Sequence, residues 1–141
     1  MSVEIKTSTD RPIKAIELMR LYRDVGWWEN RNEHDIEQML KREITVGAWE
    51  DDVLVGFARS ISDGKFRAYV EDVVIQTEYQ KLGIGRKLIL QLLKELSHID
   101  VISLFCEADL IPFYEKNQFK FSNSQVVMHR NASLTVMGNN E

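Results

Sequence analysis

Cysteine occurs once in the 141 residues, at Cys106, so no intrachain disulfide can form and no cysteine cluster can hold a metal. This usage fits a reducing compartment, and a cytoplasmic location is expected. Proline is scarce too: Pro12 and Pro112 are the only two, each near a place that reads as a helix start. No apolar run approaches the ~18–20 residues needed to span a bilayer, and residues 1–10 hold no apolar leader core, so neither a membrane partner nor export is expected. Positive charge is in deficit. Eighteen Lys and Arg against 22 Asp and Glu give a formal net charge of −4, which argues against a nucleic-acid partner, because that role needs a basic surface. The three histidines, His34, His98 and His129, lack metal-ligand spacing, and no metal is expected. Repeats, low-complexity tracts and linkers are missing as well. The expectation is one domain over residues 1–131, followed by a polar tail at 132–141.

What is present reads as an ordinary globular composition, with 44% hydrophobic and 28% charged residues. Residues 3–7 alternate as a strand does, and Ser8, Thr9 and Asp10 offer caps before Pro12 opens a first helix carrying Ala15, Leu18, Met19 and Tyr22. Residues 25–32 break that helix and place Trp27 and Trp28 in a loop. A second helix is expected over 35–44. Residues 45–50, 53–61 and 66–76 read as three antiparallel strands, with Ser62-Asp63-Gly64 as a turn signal. From Gly85 the apolar spacing becomes helical through Leu88, Ile89, Leu92, Leu93 and Leu96. Residues 101–106 are almost wholly apolar, as a central strand covered on both faces would be, and Cys106 reads as a small core residue. A short helix at 111–117 and strands at 119–121 and 125–130 complete the pattern.

The segment with most chemical content is the junction from Ile75 to Lys87, where a strand ends and a helix begins. A helix N-terminus offers unpaired N–H groups and about half a positive charge, which together attract an anion. Gly83 and Gly85 let the backbone close on a phosphate, and Lys81, Arg86 and Lys87 add positive charge. Glycines used only for tight packing are the competing reading of that spacing. A dinucleotide-binding turn needs a third glycine and an early strand, and a Walker loop needs Gly-Lys-Ser/Thr; neither is present.

Gln80-Lys81-Leu82-Gly83-Ile84-Gly85 resembles the acyl-CoA signature Gln/Arg-x-x-Gly-x-Gly/Ala of the GNAT superfamily of acetyltransferases. The segment from Phe113 through Tyr114 to Phe119 resembles the family's Phe-Tyr-x-x-x-Gly-Phe pattern, with Gln118 in place of the glycine. Glu107 stands where many members carry an asparagine. The element order also resembles the family's over nearly the whole chain. The resemblance implies a mixed α/β GNAT fold (α+β), with a mostly antiparallel sheet flanked by helices and opened into a V between its fourth and fifth strands. It further implies an acetyl-CoA-dependent N-acetyltransferase acting on a primary amine of a small molecule, by direct attack in a ternary complex. Two alternatives stay open: an acyl-CoA-binding regulatory module without turnover, and a protein lysine or N-terminal acetyltransferase.

By the same resemblance, acetyl-CoA is bound by the backbone of Val73, Val74 and Ile75 and by Gln80, Lys81, Leu82, Gly83, Ile84, Gly85, Arg86 and Lys87. A backbone N–H near Val73 or Val74 receives the oxyanion, Tyr114 protonates the CoA thiolate, and Glu71 is the base or amine ligand, with Asp72 or water as substitutes. Glu71 and Asp72 are adjacent in a strand and are expected to face opposite sides. Trp27, Trp28, Arg31 and Asp72 are expected to bind the acceptor, and with Tyr22 the loop side chains frame its pocket, packing beneath the loop being the other reading. A homodimer is expected by analogy with small relatives.

Overall fold

The computed structural model describes residues 2–132. It divides into two compact units, Met1–Cys106 and Glu107–Glu141. The first contains a five-stranded sheet in the order β1-β2-β3-β4-β5. Its strands are β1 (Glu4–Thr7), β2 (Ile44–Glu50), β3 (Val53–Ser62), β4 (Arg67–Ile75) and β5 (Val101–Leu104). The first four run antiparallel to their neighbours, and β5 joins β4 in parallel. A parallel neighbour needs a crossover, supplied here by helix α3 (Ile84–Glu95).

Two helices, α1 (Ala15–Val25) and α2 (Glu33–Arg42), separate β1 from β2. Helix α1 begins later than the cap-rich residues 8–10 suggest, because Lys14 is its N-cap and the Glu17 carboxylate accepts the Lys14 backbone N–H at 3.0 Å. Gly26, at φ +77°, ends it in the left-handed conformation that favours glycine. Helix α2 starts two residues earlier than its apolar spacing indicates, since the Asn32 side chain accepts the Asp35 N–H at 2.8 Å. Ile44 therefore belongs to β2.

Leu18, Leu21 and Tyr22 of α1 bury against Trp49, Leu54, Phe57 and Val74 of the sheet, with Ile36 of α2 closing the cluster. Helix α3 packs on β1 to β4, with Leu88, Ile89 and Leu92 fully buried. Burying such a side chain contributes about 1.5–3 kcal/mol. This pins the start of α3, and the turn before it, against the sheet.

Two expectations about β5 are corrected. It is an edge strand among the described residues, not a central one, and Val101 and Phe105 are 42% and 51% exposed. Cys106 lies beyond the strand and is exposed rather than part of a core.

The second unit holds a 3-10 turn (Ala108–Leu110) running into α4 (Ile111–Glu115), with Pro112 in the first turn. The strands expected at 119–121 and 125–130 are not formed. A strand needs a ladder partner and a buried face to set its register, and Val126 and Met128 are 83% and 87% exposed. The polar tail expected from residue 132 lies, past its first residue, outside the described residues.

Candidate active site

The end of β4 is where the first unit departs from regular geometry. Residues 67–70 pair with 101–104 of β5, and the ladder stops there. Residues 71–75 keep their pairing to β3, but among the described residues they have no strand partner on the β5 side. β5 is paired with β4 along its whole length, so this free edge arises because β4 runs on past the end of β5. At the same place the β3 register jumps: Arg59 faces Glu71 while Phe57 faces Val74, so Asp72 and Val73 share the single residue Ala58. Asp72 adopts φ +52° at this bulge. The extra residue of a bulge is left out of the ladder; of the two residues expected near the oxyanion, Val73 lies in the bulge, whereas Val74 is paired with Phe57.

Beyond Ile75 the chain makes a 3-10 turn (Thr77–Tyr79) and enters α3 through Lys81 at φ +64° and Gly83 at φ +86°. Two left-handed residues so close together fold the backbone into a tight concavity of the kind that cups anions. A Cβ on Gly83 would meet nothing within 4 Å, so that side of the turn is open. No side chain caps α3, and its first turn holds no acidic residue. Exposed Arg86 and Lys87 stand there instead, although positive charge at a helix N-terminus is unfavourable by about 0.3–1 kcal/mol each. An anion at the turn removes that conflict.

The turn is braced from distant elements. Arg20 donates to the Leu54 carbonyl at 2.6 Å and to Gln76 Oε1 at 3.2 Å. Asp24 accepts both the N–H and the hydroxyl of Thr77, and the Tyr79 hydroxyl donates to Glu50. The Gln80 amide reaches back to the Ile75 carbonyl at 3.0 Å. Arg20, Asp24 and Glu50 escape sequence reasoning because their partners are 29 to 56 residues away.

On the other side of the bulge lies a charged network. The Asp72 carboxylate, 4% exposed, accepts from the Tyr22 hydroxyl at 3.0 Å, the Trp28 indole N–H at 3.0 Å and Arg59 Nε at 2.9 Å, with Arg31 Nη1 at 3.7 Å. Arg59 also grips both Glu43 oxygens at 2.7 and 2.8 Å. Burial pushes the Glu43 carboxyl above its ordinary pKa against the pull of Arg59. Burial, with the Asp72 charge beside it, also raises the Tyr22 phenol, which stays protonated.

The bulge corrects the expectation that Glu71 and Asp72 face opposite sides. Glu71 is registered against Arg59, whose guanidinium holds Asp72, and its charge helps to raise Glu43. Cross-strand partners share a face. Glu71 is half-exposed and, among the described residues, makes no side-chain hydrogen bond or ion pair. It is available for chemistry; Asp72 is saturated.

Trp27, Trp28 and Arg31 do come together. With Met19, Tyr22 and Ile36 they line an open cavity of about 360 Å³, and the Arg31 guanidinium lies 3.7 Å over the Trp28 ring. The loop is tied down through Trp28 and Arg31 and also lines this cavity. Tyr114 is in the second unit, half-buried on α4, in edge contact with Phe113 and Phe119. Gln118 takes φ +80°, which explains why the family pattern has glycine there. Glu107 precedes the 3-10 turn at the start of that unit. Among the described residues, no three His, Cys, Asp or Glu side chains are grouped to hold a metal, and no described helix is long and apolar enough to cross a membrane.

The Acetyltransferase (GNAT) family profile matches residues 13–119, and the chain belongs to that family. It is 34% identical to an uncharacterized N-acetyltransferase, ycf52, of Pyropia yezoensis, over 82% of this chain and 70% of that protein. A shorter stretch, 43% of this chain and 31% of the relative, is 39% identical to a chloroplastic serotonin N-acetyltransferase of Oryza sativa subsp. japonica. Among solved structures, a GNAT family acetyltransferase from Streptococcus pneumoniae superposes with a TM-score of 0.75, at 24% identity, over 92% of this chain and all of that one.

Proposed function

We propose that the chain transfers the acetyl group of acetyl-CoA to a primary amine of a small molecule, by direct attack in a ternary complex. The observation that carries this is the uncapped start of α3, with exposed Arg86 and Lys87, following directly on the unpaired edge of β4. The turn takes the CoA diphosphate, and the edge at Val73 to Ile75 takes the pantetheine arm. The amine nitrogen attacks the thioester carbonyl carbon, and a backbone N–H at Val73 or Val74 receives the developing oxyanion. The C–S bond then breaks. Glu71, directly or through water, accepts the ammonium proton, and Tyr114 supplies one to the departing thiolate.

The aromatic walls around Trp27 and Trp28 favour a compact acceptor over a polypeptide, and the serotonin substrate named for the rice relative is of that kind. A homodimer in a reducing compartment, the cytoplasm, completes the proposal, and sedimentation tests the dimer. The acceptor test measures free thiol release from acetyl-CoA with tryptamine, spermidine, glucosamine 6-phosphate and a lysine-containing peptide. Release with a small amine is the expected result, and Y114F should then lower kcat by about 10²-fold or more. Release only with the peptide, or thermal stabilisation by acetyl-CoA without any release, overturns the proposal.

A further inference from the structure

Asp72 joins two observations that the proposed chemistry does not need. Its backbone sits at φ +52° on the β4 bulge, and its buried carboxylate is filled entirely by protein donors. A non-glycine residue rarely keeps such a φ; Asn and Asp tolerate it best. Two of the donors come from one loop. Among the described residues, both side-chain links from residues 27–31 to the sheet, the Trp28 indole and the Arg31 guanidinium, end on this carboxylate. Trp28 is itself held at φ +53°, and Arg31 stacks on its ring at 3.7 Å. The charges balance around the carboxylate: Arg59 and Arg31 offset Glu43 and Asp72.

We infer that Asp72 is a positioning residue that fastens the acceptor-side loop, residues 27–31, to the strand edge where the thioester lies. It sets the distance between the two substrates without touching either. Only the catalytic consequence rests on the proposed function; the fastening itself can be read without turnover.

The test uses the full chain labelled with ¹⁵N-tryptophan, in wild type, D72N and D72G, both of which tolerate a positive φ. W28F assigns the Trp28 indole resonance. In D72N and D72G that N–H resonance is expected to move upfield in the proton dimension, while that of Trp49, whose buried indole N–H has no hydrogen-bond partner, stays in place. Amide exchange over residues 26–32 should rise about tenfold or more, as for one lost hydrogen bond to a charged group. Exchange over 80–87 and the affinity for acetyl-CoA should not change. With tryptamine as the acceptor probe, KM for the amine should rise while KM for acetyl-CoA holds. An unmoved Trp28 resonance, or exchange that rises equally over the α3 turn, overturns the inference. Failure to acetylate tryptamine in the wild type counts against the acceptor reading alone, because resonance and exchange still decide the fastening.

Discussion

Replacing Gly83 by alanine separates what the turn does for the fold from what it does for the ligand. Gly83 has φ +86°, and a Cβ there meets nothing within 4 Å, so strain alone should affect the free protein. The left-handed conformation costs an alanine about 1–2 kcal/mol, of which about 0.4–1 is offset by the lower entropy of the unfolded chain. A net loss near 1 kcal/mol lowers Tm by a few degrees, roughly 2–8 °C. Gly64, in the β3–β4 turn, provides a matched control with the same φ of +86° and the same open surroundings. G64A and G83A should therefore lose similar stability.

They should part company on acetyl-CoA. The Gly83 methyl enters the space through which a diphosphate reaches the first N–H groups of α3, and one charge-assisted hydrogen bond is worth about 1.5–3 kcal/mol. Titration calorimetry should show affinity reduced roughly 10- to 100-fold in G83A and unchanged in G64A. If the two variants bind acetyl-CoA equally well, Gly83 serves only the turn, and the anion reading of α3 is wrong.

Two other perturbations test the charged network and the second unit. Because the folded chain holds the Glu43 proton more tightly than the unfolded one, the contribution of Glu43 is fully present below about pH 4.3 and is lost as pH climbs through its raised value. Denaturant melts between about pH 4 and 7 should show wild type losing stability relative to E43Q as pH rises, and a constant difference would contradict the burial argument. Gln118→Gly should raise Tm, since the strain at φ +80°, about 1–2 kcal/mol, exceeds the entropy that glycine adds to the unfolded chain; an unchanged or lower Tm would show that this strain is not relieved.

The turn at 80–85 and helix α3 were legible because their signals are local. Glycine spacing marked the turn at 80–85, the period of Leu88 to Leu96 marked α3, and the change of period between them placed the junction. Element positions followed the same logic, and the shifts occurred at caps: Glu17 reaching back to Lys14, and Asn32 starting α2 early. The misreadings share one cause. Residues 119–121 and 125–130 have strand composition without a ladder partner, and β5 has a partner on one side where its composition suggested two, because composition does not say how many partners exist. The alternation argument for Glu71 and Asp72 failed for a related reason, since a bulge is one residue long and has no composition of its own.

The loop at 27–31 was only half legible, and the physical reason lies in how Asp72 is held. Its partners Tyr22, Trp28 and Arg59 are 50, 44 and 13 residues away, so no window of sequence contains the network. A buried carboxylate is stable only if all its donors arrive together, because removing one partner of a buried ion pair costs about 3–5 kcal/mol. The donors therefore fix where the loop attaches and leave its exposed side chains free. Trp27, 39% exposed, with Glu29 and Asn30 beside it, belongs to no such network among the described residues. On the proposed function, substitutions at these positions are expected to change which amine is accepted while leaving the strand edge, the bulge and the α3 turn intact, which thiol release with tryptamine and spermidine would measure.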